Sequence, residues 1–426
     1  MPKKYDLTVY GATGFTGVQA ARAFADVSQR HGLKIAISGR NHEKLKSLAA
    51  TLSRPVDILV AESTDKKALN HLTKQSKLVV NLAGPFAKYA PHLIASCVEN
   101  RCNYIDITGE ATFIGEMIEL HHQQAQKSGV RIIPFCGFDS IPSDIGWYYM
   151  LREWRKRFLH SNEACQKISA LFQIRGGFKG GTIATAIQLA KEGKAQVLSR
   201  NLTLLCDPNL PLPNAGADWI APRKIKGLEG YGAPFFMAPI NTRVVRRSQS
   251  LFAKDELPLT FSPSRDVLYE EGQYVKESVP AMSSAISTML FALNIFSRSK
   301  ILAAVVEKIA PKSGSGPSEE NMNSGFAKVS YVATGERGSI LQGKFRSEGD
   351  PGNRTTIKLL IQAALCLALD EERKKLPEAS GVLTPAYAFR DVLIDRLIEN
   401  GVQLSIDSPV VKLTAKTKPH GPTASD

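Results

Sequence analysis

The stretch LTVYGATGFTG, residues 7–17, decides the fold. Leu7 to Tyr10 favour a strand, and the chain from Val18 to Arg30 continues with apolar residues at helical spacing. Between them, glycines at positions 11, 14 and 17 form a G-x-x-G-x-x-G loop. Glycine allows a tight turn and a close approach of backbone to a pyrophosphate, whose charge is stabilised by the helix N-terminus. The stretch therefore predicts a dinucleotide-binding βα unit; the alternative is a glycine-rich turn that binds nothing.

Strands and helices continue to alternate up to about residue 135. The predicted strands span residues 7–10, 35–38, 56–60, 78–82, 104–107 and 131–134, and the predicted helices include 18–30, 66–75, 90–100 and 110–128. Asn41 is placed to cap a further charged helix. Alternation at this spacing is typical of βαβ units in a parallel sheet.

After residue 140 the pattern becomes irregular. Candidate strands lie at 168–175, 242–247, 326–334 and 402–406, and candidate helices at 355–371 and 387–399. We predict an α/β protein: a Rossmann-type parallel sheet over residues 1–140, then a mixed α+β substrate domain over 141–408. The C-terminal part of that second domain could pack back on the first, and residues 409–426 are expected to form a flexible tail.

The composition limits the class of protein. Lys and Arg number 54 and Asp and Glu 40, so 54 − 40 gives a net charge of +14, and hydrophobic residues make up 43%. These values exclude a collagen-like or wholly disordered chain. The six cysteines form no C-x-x-C pair, which favours reduced thiols and a cytoplasmic protein over a zinc ribbon. Residues 1–4 lead straight into a strand, so we expect no secretory signal.

The residue after the second strand indicates which dinucleotide binds. NAD enzymes usually place an acidic residue there for the ribose hydroxyls. This chain has Arg40, followed by Lys44. Because a guanidinium can bind a phosphate with two hydrogen bonds, we predict NADP (NADPH). The alternative is that Arg40 is only a solvated surface residue.

Two further loops follow predicted strands at the edge where ligands bind in open α/β sheets. The run Glu62-Ser63-Thr64-Asp65 follows the third strand and could reach the adenine. The loop after the fourth strand has a fixed backbone at Gly84 and Pro85 and could contact the dinucleotide. Either loop could instead be a structural turn. The predicted cofactor-binding residues are Gly11, Thr13, Gly14, Phe15, Thr16, Gly17, Arg40, Lys44, Ser63, Asp65, Ala83, Gly84, Pro85 and Phe86.

Several longer motifs are similar to those of a known family. They include YDLTVYGATGFTG (5–17), NLAGPFAKY (81–89), YIDITGE (104–110), PFCGFDSIPSDIG (134–146), GGTIA (180–184), PFFMAPINTRVVRRS (234–248), GSGPSE (314–319), GDPG (349–352) and GVLTP (381–385). On these residues the chain resembles the saccharopine dehydrogenase-like oxidoreductases, and within them the trans-acting enoyl reductase subfamily. The Asn353-Arg354 pair departs from that pattern, in which glycine or an aromatic residue is expected.

The resemblance implies an NADP-type Rossmann domain and a separate substrate domain. It further implies reduction of a carbon–carbon double bond in a lipid or polyketide-derived substrate, as in glycolipid biosynthesis. One alternative is a saccharopine dehydrogenase-type amino acid oxidoreductase. Another is a non-catalytic NADP-binding protein on membranes.

For such a reaction, Asp139 and Ser140 are the first candidates for contact with the substrate or the nicotinamide, because they follow the last strand of the nucleotide-binding domain. Asp139 could instead cap the next helix. Tyr89 is a possible proton donor. Arg243, Arg246 and Arg247 could bind a carboxylate or a phosphate, or could lie on a solvated strand face. His121 and His122 have no carboxylate cluster at metal spacing, so we predict no metal.

Residues 282–306 form an apolar stretch that contains Arg298 and Lys300. Apolar faces bordered by cations suit peripheral contact with an anionic membrane, such as the inner face of the plasma membrane. The alternative is an internal helix packed on the second domain. A homodimer is possible. Nucleic acid is not an expected partner, because the basic residues are not interleaved with aromatic ones.

Overall fold

The computed structural model describes residues 3–176, 197–198, 200–210, 212–254, 267–276 and 317–412. The GGTIA motif at 180–184 and the apolar stretch at 282–306 lie outside the described residues, so the predictions made for them stay predictions. All six cysteines lie inside the described ranges and are buried free thiols, as expected from their spacing.

The first sheet has seven parallel strands in the order β13-β6-β5-β4-β1-β2-β3. Its strands are β1 (Leu7–Tyr10), β2 (Ile35–Gly39), β3 (Asp57–Val60), β4 (Leu78–Asn81), β5 (Asn103–Asp106), β6 (Arg131–Ile133) and β13 (Gly381–Val382). The predicted Rossmann-type sheet is confirmed. Its strand order reverses between β1 and β4, which is where a dinucleotide binds in this class of sheet.

The helices of this part connect consecutive strands. They are α1 (Phe15–His31), α2 (His42–Ala49), α3 (Lys66–Gln75), α4 (Phe86–Tyr89), α5 (Pro91–Glu99) and α6 (Ala111–Ser128). Asn41 caps α2 as predicted, because its Oδ1 accepts the N–H of Lys44 at 2.9 Å. Gly32 and Gly129 end α1 and α6 in the left-handed conformation that favours glycine.

The second sheet is mixed and also has seven strands, in the order β14-β12-β11-β7-β10-β9-β8. They are β7 (Cys165–Arg175), β8 (Arg223–Lys224), β9 (Tyr231–Ala233), β10 (Leu268–Val275), β11 (Phe326–Gly335), β12 (Ser339–Glu348) and β14 (Gln403–Lys412). The β7–β10 pair is parallel, and the other pairs are antiparallel. β14 extends into the first four residues of the predicted tail, so that boundary was placed too early.

The second part of the chain also contains helices. They are α7 (Ile141–Phe158), α8 (Ala238–Lys254), α9 (Glu319–Asn323), α10 (Thr356–Ala368), α11 (Asp370–Arg373) and α12 (Pro385–Glu399), with a short π-helix at Pro351–Thr355. One apolar cluster contains Leu7 and Val9 of the first sheet together with Phe172 and Tyr331 of the second. The two sheets therefore share a continuous core.

The strand predicted at 242–247 is wrong. These residues lie in the middle of α8. Thr242, Val244 and Val245 favour a strand locally, but they are buried as parts of a 17-residue helix whose length the local pattern did not reveal.

Among the described helices, none is both long and apolar enough to cross a membrane.

Candidate active site

The glycine loop between β1 and α1 is packed too tightly for a side chain at two positions. Gly11 has a φ of 78°, and a Cβ on it would lie 2.7 Å from the backbone nitrogen of Ala83. A Cβ on Gly17 would collide with the carbonyl oxygen of Gly11 and lie 2.8 Å from the carbonyl carbon of Ala12. The first-turn N–H groups of a helix have no partner within the helix. The loop and the start of α1 therefore fit the pyrophosphate of a dinucleotide.

The remaining residues predicted in this loop occupy the same turn. Gly14 is the N-cap residue of α1 and is exposed. Its N–H donates to the carbonyl oxygen of Gly11 at 3.1 Å. Thr13, Phe15 and Thr16 are half-buried beside it. The sequence prediction thus placed these residues together, at the beginning of the first helix.

Arg40 lies at the end of β2, and its contact with a 2′-phosphate stays a prediction. It directly follows β2 and is exposed, as is Lys44 in the first turn of α2. Burial and the negative charge of Glu62 raise the pKa of Tyr10 to about 12, and the positive charge of Arg40 opposes that rise. Tyr10 ends β1, Arg40 directly follows β2, and Glu62 follows β3 by two residues.

The two residues predicted after β3 differ in their surroundings. Asp65 caps α3, because its Oδ1 accepts the N–H groups of Lys67 and Ala68, both at 3.0 Å. Ser63 is half-buried in the loop before it. Asp65 thus has a structural role of its own, and contact of either residue with adenine stays a prediction.

The loop after β4 is held from both ends. At its start, the Oδ1 atom of Asn81 accepts the N–H of Ala83 at 2.9 Å. At its end, the carboxylate of Glu110 accepts the N–H groups of Phe86 and Ala87, each at 2.8 Å. Gly84 is exposed and Pro85 half-buried at its tip. Sequence reasoning named the loop but missed Glu110, whose partners lie 23 and 24 residues earlier in the chain.

Asp106, at the end of β5, was also missed. It is fully buried, and burial raises the pKa of its carboxyl to about 7. Its Oδ1 accepts the N–H of Thr108 at 3.0 Å and that of Phe135 at 3.3 Å. Its Oδ2 accepts the hydroxyl of Tyr104 at 2.7 Å. We call the loops 82–86, 107–110 and 134–140, which follow β4, β5 and β6, the β4–β6 rim.

The structure separates the roles of Asp139 and Ser140. Ser140 is the N-cap residue of α7, is fully buried, and donates its hydroxyl to Oδ1 of Asn241 at 3.1 Å. Asp139 is half-buried, and its Oδ2 would lie 3.7 Å from a Cβ on Gly109. Asp139 therefore sits between two loops of the β4–β6 rim and is not the N-cap residue, whereas Ser140 is tied into the interior.

A turn from the second part of the chain lies against these loops. The N–H of Phe138 donates to Oγ1 of Thr356 at 3.1 Å, and a Cβ on Gly137 would lie 3.4 Å from Cγ2 of Thr356. Nη1 of Arg354 donates to Oε1 of Gln19 in α1 at 3.3 Å. Residues 349–356 thus reach both α1 and the loop after β6. Sequence reasoning quoted the GDPG motif there but did not predict this contact.

Tyr89, the third candidate, is the last residue of α4. It is half-buried, and the ammonium group of Lys88 lies 5.2 Å from its ring centroid. The structure brings Tyr89 to the end of the short helix that follows the β4 loop, and its role as a proton donor stays a prediction.

The three arginines of α8 do not lie on a solvated strand face. They are fully buried on a helix. Arg243 binds Asp218 and the carbonyl oxygen of Leu198, and Arg246 donates to the carbonyl oxygens of Leu202 and Gly216. Arg247 donates to the carbonyl oxygen of Val382 at 2.9 Å and contacts Nδ1 of His122 at 3.2 Å. These guanidinium groups fix the backbone of neighbouring segments.

Metal binding gains no support from this arrangement. Within the described ranges, no group of three or more His, Cys, Asp or Glu side chains could hold a metal ion. His122 instead accepts the N–H of Val382 at Nδ1, at 3.1 Å.

A buried acid in β10, Glu271, should make the stability of the protein depend on pH. Burial raises the pKa of Glu271 from its ordinary value of 4.5 to about 7. Between these values the folded chain keeps a proton that the unfolded chain has lost, so raising the pH favours unfolding. We expect the free energy of unfolding to fall from pH 5 to pH 8, with Glu271 contributing a slope of up to about 1.4 kcal/mol per pH unit. Urea unfolding of Glu271→Gln should show a shallower slope.

The matched control for this prediction is Glu399→Gln, because Glu399 is exposed at the end of α12. Its slope should equal that of the unmodified protein. Identical slopes for all three proteins would contradict the prediction.

Known proteins are similar to this chain over nearly its whole length. The family model for the saccharopine dehydrogenase NADP binding domain matches residues 7–133. A protein named trans-acting enoyl reductase from Mycobacterium tuberculosis (strain H37Rv) is 31% identical over 423 residues, which cover 94% of this chain and 97% of the relative. The protein of that name from Mycobacterium leprae is 30% identical over 422 residues, with the same coverage.

One solved structure shares the fold over nearly the whole chain. Apo saccharopine dehydrogenase (L-Glu forming) from Saccharomyces cerevisiae superposes with a TM-score of 0.52 at 12% identity, covering 94% of this chain and 99% of that one. The strand order, the glycine loop, the NADP-binding domain and the near full-length relatives lead to one assignment. This chain is an NADP(H)-dependent oxidoreductase that belongs to the trans-acting enoyl reductase family.

Proposed function

We propose that this chain reduces a carbon–carbon double bond conjugated to a carbonyl group in a lipid or polyketide-derived substrate. The observation that carries the proposal is the 30–31% identity, over more than nine-tenths of the chain, to proteins named trans-acting enoyl reductases. NADPH, when bound, supplies the hydride. The other group required is a proton for the carbon next to the carbonyl.

The residues that would hold the cofactor lie along one edge of the first sheet. The glycine loop and the N-terminus of α1 would bind the pyrophosphate, and Arg40 and Lys44 would bind the 2′-phosphate. Because that phosphate belongs to the adenosine half, the nicotinamide half would extend over β4, β5 and β6. There Asp139 would contact the substrate or the nicotinamide and help to place the proton.

The saccharopine dehydrogenase-type alternative is less well supported. It requires cationic side chains to bind the carboxylates of an amino acid substrate. The three arginines considered for that role are buried in α8, where their guanidinium groups bind Asp218 and backbone carbonyl oxygens. These guanidinium groups therefore already bind groups of the protein itself.

The test is a comparison of substrates with the purified protein and NADPH. We expect loss of NADPH absorbance with trans-2-enoyl thioesters, with faster turnover of long acyl chains, and a product heavier by two hydrogens. Oxidation of saccharopine with NADP⁺, and no reaction with the thioesters, would support the alternative enzyme. Tight NADPH binding without turnover of either substrate would support a non-catalytic protein.

Contact of residues 282–306 with an anionic membrane, and a homodimer, remain proposals from the sequence. The first depends on Arg298 and Lys300 within an apolar stretch. Co-sedimentation with anionic vesicles should be lost when residues 282–306 are deleted, and unchanged co-sedimentation would refute it.

A further inference from the structure

A chain of buried polar groups connects the ends of β4, β5 and β6. It begins at Asn81, whose Nδ2 donates to the hydroxyl of Tyr104 at 2.9 Å. That hydroxyl donates to Oδ2 of Asp106 at 2.7 Å. All three residues are fully buried. The three side chains therefore form one continuous hydrogen-bonded path beneath the β4–β6 rim.

This path binds backbone N–H groups in all three loops. The Oδ1 atom of Asn81 accepts the N–H of Ala83 in the first loop. The Oδ1 atom of Asp106 accepts N–H groups from Thr108 in the second loop and Phe135 in the third. Asp106 is thus the one member of the path that bonds directly to two loops and, through Tyr104 and Asn81, to the third.

The third loop needs this support because its backbone is strained. Phe135 has a φ of 65°, a region that side chains other than glycine rarely adopt. Its N–H is bound by the carboxylate of Asp106, and the N–H of Cys136 donates to the carbonyl oxygen of Asp106 at 2.8 Å. Two bonds from one residue therefore hold the bend that leads to Asp139.

A buried carboxylate is a costly way to join three loops. Removing a carboxylate from water is unfavourable, and an apolar residue at the end of a strand would avoid that cost. Asp106 keeps its full burial while accepting three hydrogen bonds. The arrangement is explained if the loops must hold one geometry for a ligand.

We propose that Asp106 is a positioning residue, which holds the β4–β6 rim in the geometry that receives the nicotinamide half of NADPH. The proposal rests on the NADP(H) site and on the reaction proposed above, but it requires no choice of substrate. It assigns no contact between Asp106 and the cofactor, because Asp106 acts through the loops that it binds.

The test compares whole cofactor with a fragment. NADPH spans both halves of the site, whereas 2′,5′-ADP carries only the adenosine half with its 2′-phosphate. In Asp106→Asn we expect the Kd for NADPH to rise about 10-fold, because the amide nitrogen cannot accept the hydrogen bond that the Tyr104 hydroxyl donates. The Kd for 2′,5′-ADP should change less than about twofold, because the loop at β1 and Arg40 are untouched. At saturating NADPH, the nicotinamide fluorescence of the bound cofactor should move toward that of free NADPH.

Asp144→Asn is the matched control. Asp144 is equally buried in α7, and burial likewise raises its pKa to about 7. Its side-chain partners, however, are Ser248 of α8 and the N–H of Ala386 in α12, neither of which belongs to the β4–β6 rim. The affinities for both ligands and the fluorescence should remain those of the unmodified protein.

Tyr104→Phe keeps the carboxylate and removes only the hydroxyl between Asn81 and Asp106. It should also weaken the binding of NADPH more than that of 2′,5′-ADP. This variant tests the proposal even if Asp106→Asn fails to fold. Equal weakening of NADPH and 2′,5′-ADP, or no weakening of either, in the folded variants would overturn the proposal. Failure of the unmodified protein to bind either ligand would overturn the cofactor site and this proposal with it, whereas failure to reduce enoyl thioesters would leave these binding results intact.

Discussion

Arg40→Asp is expected to reverse the nucleotide preference of this protein from NADPH to NADH. The introduced carboxylate would repel a 2′-phosphate and could accept hydrogen bonds from the ribose hydroxyls of NADH. The substitution removes a charge-assisted hydrogen bond to the 2′-phosphate and adds a repulsion. The affinity for NADPH should therefore fall about 100-fold or more. NADH should bind at least as tightly as before. Fluorescence titration with both nucleotides measures the ratio of the two Kd values.

Arg40→Ala separates the two effects. The affinity for NADPH should fall by roughly 10- to 100-fold and the affinity for NADH should stay unchanged, because only the contact with the 2′-phosphate is lost. Arg30→Ala is the matched control, since Arg30 is an exposed arginine in the last turn of α1, at the end opposite to the glycine loop. Equal affinities for NADPH and NADH in the unmodified protein would contradict the role of Arg40.

Neighbouring charge limits how strongly Arg40 can act. Glu62 follows β3 and is exposed, and its charge and that of Arg40 have opposite effects on the pKa of Tyr10. A carboxylate near a phosphate site reduces its affinity for anions.

The first sheet could be predicted from sequence because its signals are local. Each of its first six strands is a short apolar run, and β1 ends at a glycine. β13 is different: it has only two residues, Gly381 and Val382, and pairs with β6 across about 250 residues of chain. A strand so short has no period that a sequence pattern could reveal.

The error at 242–247 has a physical cause as well. Thr242, Val244 and Val245 are β-branched, and such residues favour a strand locally. In α8 the three arginines of this segment are buried, because the carbonyl oxygens of Leu198, Leu202, Gly216 and Val382 accept their hydrogen bonds. The sequence holds no sign of those partners, since they are backbone atoms brought there by the fold.

The site was predicted in part for a similar reason. Loops at the ends of parallel strands must meet at one edge, so the glycine loop, the loop after β4 and Asp139 could be assigned to it. Asp106 and Glu110 lie within the quoted YIDITGE motif, but their roles depend on N–H groups 23 to 29 residues away. The spacing of residues in a sequence does not show which backbone N–H groups a buried carboxyl group will bind.

Asp139→Asn is expected to lower kcat by about 100-fold or more, within the range typical of a residue that manages a proton. Asp139 is half-buried between two loops of the β4–β6 rim, next to Gly109. The substitution keeps the size of the side chain and removes its ability to exchange a proton. NADPH affinity should therefore change less than about twofold, and steady-state kinetics with an enoyl thioester would measure the separation of kcat from binding.

Ser140→Ala and Tyr89→Phe distinguish Asp139 from the other two candidates. The Ser140 hydroxyl bonds Asn241, whose Nδ2 donates to Glu271 at 2.8 Å, so its loss should reduce stability by roughly 1 kcal/mol and leave kcat nearly unchanged. Tyr89→Phe should keep most of the activity if Asp139 places the proton. Full activity of Asp139→Asn together with an inactive Tyr89→Phe would instead assign the proton to Tyr89. Because the three residues differ in burial and in partners, one set of kinetic measurements separates a residue that acts on the substrate from one that only supports the helix beside it.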